Sequence, residues 1–173
     1  MFLPIRISAP HRTPYVTFTL IAINVIVFAL IMTNPSSIVP GAIDYYDAQR
    51  RLAIVPASIV RGENLWTLIT AMFVHADIFH LIGNMLFLFF FGGSVESAMG
   101  YRNYLVFYIL CGLSATLFHI LSITFVPTEY LFTTYTLNPW VTPVLGASGA
   151  ISGVLGAYLI YYPRSRITFV YPV

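Results

Sequence analysis

Charge is what this sequence has least of. Only 8% of its 173 residues are charged, lysine is absent, and eight arginines stand against six acidic residues for a formal charge of +2. An average soluble domain is roughly 25% charged, so a water-soluble globule is excluded. A positive charge this small and scattered also excludes the basic patch that a nucleic-acid partner needs. The single cysteine, Cys111, allows no internal disulfide and says nothing about redox compartment. Proline and glycine follow no period and 58% of the residues are hydrophobic, which excludes collagen-like structure and disorder. Neither a solenoid repeat nor a low-complexity segment is present.

The length is therefore counted in membrane spans of about 20 residues each. Between Arg12 and Asp44 there is no charge, and Tyr15 to Met32 is apolar apart from Thr17, Thr19 and Asn24. That run reaches roughly 27 Å as a helix, about one hydrocarbon core. It exceeds a signal-peptide core and no small-x-small cleavage site follows, so it reads as an anchor. A long first loop follows, broken by Pro35, Pro40, Gly41, Pro56 and Gly62 and carrying Asp44, Asp47, Arg50, Arg51, Arg61 and Glu63, with short interfacial helices expected. Three further uncharged runs come at 78–95, 104–125 and 144–162. A polar turn around Glu96, Gly100 and Arg102 separates the first two, and Pro127, Glu129, Pro139 and Pro143 mark an irregular loop before the last. The expected fold is all-α, a polytopic bundle with four spans after a tail of residues 1–14. Arg6, Arg12, Arg102, Arg164 and Arg166 share one side, which predicts a cytoplasmic N-terminus.

Polar groups inside a span are costly and mark candidate sites. His80 and Asn84 sit four apart on one face of the second span, with Phe87 and Phe91 continuing that stripe. His75 is expected at the mouth of the span, nearer water and beside Asp77. The last span opens with Gly146, Ser148, Gly149, Gly153 and Gly156. Its glycines read as a smooth face for close helix packing. Ser148 is different, because a serine flanked by small residues near a helix start has an open hydroxyl and unpaired backbone N–H groups beside it. Those donors suit a developing oxyanion. The second and fourth spans run in the same direction, so Ser148, His80 and Asn84 are expected at one depth under the long loop, a hydrolytic constellation.

The motif Gly146-Ala147-Ser148-Gly149, joined to His75, His80 and Asn84 in the pattern H-x4-H-x3-N, resembles the rhomboid intramembrane serine proteases. Glu96-Ser97-Ala98-Met99-Gly100-Tyr101-Arg102 and the run Arg12 to Thr17 are also similar to that family. The resemblance implies Ser148 as nucleophile, with an oxyanion hole from its own N–H, His80 and Asn84, and Gly146, Gly149 and His75 in support. It implies transmembrane protein substrates in a lipid bilayer, with no cofactor, and a prokaryotic plasma membrane as the setting. It also implies a six-helix core whose general base is a His on the sixth helix, and no residue here matches that base. His119, on the third span, is the remaining candidate, although a histidine on a membrane helix more often bonds a neighbour. The apolar run from Ile167 to Val173 reads as the start of another segment, so the expectation is four helices of six, with two C-terminal helices missing. No metal is expected, since His75 and His80 do not share a helix face well and no third ligand accompanies them. A non-catalytic protein that binds membrane helices is the alternative. A small channel lined by His80 and Asn84 would leave Ser148 without a role.

Overall fold

The computed structural model describes residues 13–125 and 138–165. The expected tail with Arg6 and Arg12, the loop residues Pro127 and Glu129, and the run from Arg166 to Val173 lie outside the described residues. Eight α-helices are described: α1 (Tyr15–Thr33), α2 (Tyr45–Leu52), α3 (Pro56–Val60), α4 (Thr67–Thr70), α5 (Ile78–Phe87), α6 (Gly93–Met99), α7 (Tyr101–Phe125) and α8 (Ser148–Tyr161). Among the described residues three stretches, Tyr15–Thr33, Ile78–Met99 and Tyr101–Phe125, are long and apolar enough to cross a membrane. The fourth apolar helix, α8, has 14 residues, which at about 1.5 Å per residue fall short of a hydrocarbon core.

The fourth span begins later than its hydropathy suggests. Val144 is extended and pairs with Ile54 in an isolated antiparallel bridge, and Gly146 has φ +118, which no helix tolerates. Ser148 is thus the first residue of α8 rather than one turn inside it. The second span differs the other way. α5 passes through a π-turn at Leu88–Gly92 into α6 without leaving the helical path, so Glu96 is buried in helix rather than solvated in a turn. Only Gly100, at φ +80, breaks the chain before α7. The aromatic stripe expected below Asn84 persists through the π-turn, with Phe87 and Phe91 rings 5.9 Å apart, Phe87 exposed and Phe91 buried against Tyr158 at 4.9 Å.

The spanning helices are apolar all round, and burial selects one stripe of each. On α1 that stripe is Thr17, Leu20, Asn24, Phe28 and Ile31, while Phe18, Val25, Ile26 and Met32 face outward, as lipid-facing residues must. The core joins Leu81, Met85 and Leu88 to Tyr104 and Tyr108 of α7 and to Ile151, Val154 and Tyr158 of α8. α7 and α8 form the largest helix pair, and glycine sets their spacing. A Cβ on Gly149 would stand 2.6 Å from Ala115 Cβ, and one on Gly153 would strike Cys111, so these backbones approach as small-residue faces allow. Gly156, on the same side of the helix, meets nothing within 4 Å, so only the Gly149–Gly153 part of the glycine face is used for close packing.

α8 runs parallel to the α5–α6 span. At one end Gly146 packs on His80, and at the other Tyr162 Oη donates to Ser94 O at 3.1 Å. The first loop is tied to the chain before α8 by backbone bonds: Ile54 N to Val144 O, Val144 N to Ile54 O, Ala57 N to Trp140 O and Gly146 N to Ala71 O, all 2.8 to 2.9 Å. The segment leading to Ser148 is thereby held by the first loop, not by its own helix.

Candidate active site

The site is assembled around Gly146. A Cβ there would lie 2.8 Å from His80 Cε1, 3.0 Å from His80 Nε2 and 3.8 Å from Ser148 Oγ, so only a glycine lets the imidazole and the hydroxyl share this corner. The positive φ imposes the same choice independently. Ser148 is exposed, and its Oγ makes no hydrogen bond among the described residues. No side chain caps α8, so the N–H groups of its first turn stay available beside the hydroxyl.

His80 is the third residue of α5, whose start is fixed by Asp77: the cap carboxylate accepts from His80 N at 2.9 Å. The His80 ring accepts at Nδ1 from Ala76 N, 3.4 Å away. A neutral imidazole that accepts at Nδ1 carries its proton on Nε2, and Nε2 is the nitrogen turned to Gly146. Asn84, one turn deeper, is buried, and its Nδ2 donor has no partner among the described residues. A buried donor left without an acceptor is costly, and an oxyanion would supply the acceptor that both side chains lack.

His75 departs from expectation. It is 1% exposed, not at a wet mouth, because the first loop closes over it. Its ring meets His80 edge-on at 5.1 Å, and burial, followed by the neighbouring His80, pushes its pKa down to about 4. It is a neutral packing piece behind His80. Gly149 is likewise a packing residue, facing Ala115.

Met72 from the first loop, Gly112, Thr116 and His119 from α7, and Gly146 and Ser148 enclose a cavity of about 160 Å³. His119 Nε2 is buried there with no partner. Among the described residues that nitrogen bonds no neighbour, and the ring lines the same cavity as the candidate nucleophile. Among the described residues no three metal-ligating side chains gather. Sequence reasoning missed Tyr45 and Gln49, which reach the His75 carbonyl from α2. Asp44 as a cap three residues before Asp47 was the available sign of that helix.

The Rhomboid domain profile matches residues 62–173. The chain belongs to the rhomboid family. It is 29% identical over 157 residues to Rhomboid protease GluP of Bacillus subtilis, covering 91% of this chain and 26% of that protein. It is 31% identical over 114 residues to the mitochondrial RHOMBOID-like protein 12 of Arabidopsis thaliana, 62% of this chain and 32% of the relative. With the mitochondrial Rhomboid protein 1 of Saccharomyces cerevisiae it shares 34% over 108 residues, 62% of this chain and 28% of the relative. The chain thus spans about a quarter to a third of the length of these curated relatives. As a rhomboid with three membrane-length helices it is an integral membrane protein. Every candidate residue, from His75 to Gly149, falls inside the matched region.

Proposed function

We propose that this rhomboid is an intramembrane serine endopeptidase that cleaves transmembrane segments of membrane proteins. The observation that carries this reading is the meeting of His80 Nε2 and Ser148 Oγ over Gly146 at an uncapped helix start. Ser148 Oγ attacks the scissile carbonyl, and the negative charge on its oxygen is received by Ser148 N–H, His80 Nε2–H and Asn84 Nδ2–H. Collapse of the tetrahedral intermediate expels the amine and leaves an acyl-enzyme, which water hydrolyses. Helix-breaking residues in the substrate favour attack, because an intact helix hides its carbonyls.

The proton from Ser148 goes to a histidine base that the family resemblance places on a later helix. The stripe of α8 bearing Ser148, Ser152 and Gly156 is exposed, which leaves room beside the nucleophile for such a helix. The proposed setting is a prokaryotic plasma membrane with the N-terminus cytoplasmic. Cleavage of a model transmembrane substrate by the protein expressed from its gene, lost in Ser148→Ala, is the expected result. Cleavage that survives the substitution would sink the proposal.

A second reading has one observation in its favour: among the described residues nothing bonds Ser148 Oγ as a base would. Under it the protein binds membrane helices without cutting them, and crosslinking to the model substrate would occur with no cleavage product in either form.

A further inference from the structure

We propose that Tyr45 and Gln49, on α2 of the first loop, are positioning residues that orient His80 through the peptide unit joining His75 to Ala76. The inference rests on the oxyanion role given to His80 above. The carbonyl of that unit, His75 O, accepts from Tyr45 Oη at 2.8 Å and from Gln49 Nε2. Its N–H, on Ala76, donates to His80 Nδ1 at 3.4 Å. A trans peptide sets C=O and N–H on opposite edges of one plane, so the donors of α2 and the imidazole hold the two ends of a single dipole. Hydrogen bonds at the carbonyl polarise the N–H and strengthen the bond it gives.

The consequence falls on the far side of the ring. With Nδ1 engaged as an acceptor, the proton is confined to Nε2, the atom 3.0 Å from the Cβ position of Gly146 and the one an oxyanion would meet. Tyr45 Oη also lies 3.1 Å from Ala76 O, so its single proton is shared between the two carbonyls, with the shorter contact to His75 O. α2 is itself anchored. Asp44 caps its start by accepting from Asp47 N at 2.8 Å, and Thr70 Oγ1 donates to Leu52 O at 2.9 Å at its end. Gln49 is buried, and its amide spends a donor on this carbonyl. The first loop therefore does more than cover the site: it selects the tautomer of His80.

The test reads the tautomer directly, by side-chain nitrogen NMR of ring-labelled histidines in the membrane-embedded protein, with His80→Ala identifying the signal. In the native protein the proton is expected on Nε2 alone. Gln49→Met with Tyr45→Phe, which keep volume and remove both donors, are expected to give a mixture with a substantial Nδ1-protonated fraction. On a transmembrane substrate kcat falls about tenfold or more with KM within about twofold, as for a misdirected transition-state donor. Tyr45→Phe alone, which keeps the ring and the Gln49 donor, falls between and serves if the double variant does not fold. A folded double variant with an unchanged His80 tautomer overturns the proposal, as does a native His80 protonated on Nδ1. The NMR measurement needs no turnover. A Ser148→Ala protein that still cleaves would therefore overturn the protease reading without touching the tautomer result.

Discussion

The carboxylate of Glu96 caps a helix eighty residues away from it: Oε2 accepts from both the backbone N and the Oγ1 of Thr17 at 2.8 Å, and Oε1 accepts from Val16 N at 3.0 Å. Among the described residues α1 has no side-chain cap at Pro14; Tyr15 N donates to Thr13 O, and the next two N–H groups, of Val16 and Thr17, rely on Glu96. Replacing it leaves several buried donors unmet, each costing about 1–3 kcal/mol. Unfolding in mixed detergent is expected to rank Glu96→Ala as most damaging, at about 3 kcal/mol or more. Glu96→Gln, which turns an amide N–H₂ toward donors, comes next, and Thr17→Val costs about 1 kcal/mol. A harmless Glu96→Ala would mean that α1 is held by packing alone.

The seam between α7 and α8 gives a size-exchange prediction. A Cβ on Gly149 would stand 2.6 Å from Ala115 Cβ, and neither atom can rotate away. Gly149→Ala is therefore expected to cost about 1–3 kcal/mol, and Ala115→Gly in the same molecule to recover much of it. Gly156→Ala meets open space and should leave stability unchanged or raise it by up to about 1 kcal/mol. A double-mutant cycle without coupling between positions 115 and 149 would show that the helices do not touch there.

The elements that were legible in the sequence are those set by hydropathy and local chemistry. The gap in charge gave the three long helices to within a few residues, because lipid requires an unbroken apolar run and an internally bonded backbone. The pairing of Ser148 with His80 was legible from the parity of the spans. Hydropathy could not reveal where α8 starts, since Val144 to Ala147 are as apolar as the helix but are held extended by Ile54 and bent by Gly146. Nor could it place Glu96 and His75, one charged and one titratable, which are buried because distant groups meet them: Thr17 in one case, the first loop in the other. Such contacts depend on the tertiary fold, and neighbouring residues carry no sign of them.

At the site itself the proposed oxyanion donors should separate from the scaffold. Removing one oxyanion donor typically costs 10²- to 10³-fold in kcat, so His80→Ala and Asn84→Ala are each expected to fall in about that range with KM little changed. Gly146→Ala introduces a methyl 2.8 Å from His80 Cε1 at a backbone φ of +118, and is expected to match or exceed the His80→Ala loss while adding strain. A rise in KM at constant kcat in these variants would assign His80 and Asn84 to substrate binding instead.

His75 supplies a pH dependence with a definite sign. Its folded pKa of about 4 lies below the ordinary 6.5, because a charged imidazole cannot be solvated behind His80. Between those values the unfolded chain binds a proton at this residue and the folded protein does not. Stability therefore falls as pH drops below about 6.5 and levels off near pH 4. The loss assignable to this group is on the order of 1–3 kcal/mol. Above pH 7 it contributes nothing to the pH slope. Asp77 and His80 are the ionisable groups that act on it. Subtracting the stability profile of His75→Phe from that of the native protein removes every other titration and should leave a single step in this window. A flat difference would mean that the ring is protonated or solvated in the folded state, and that the first loop does not seal the back of the site.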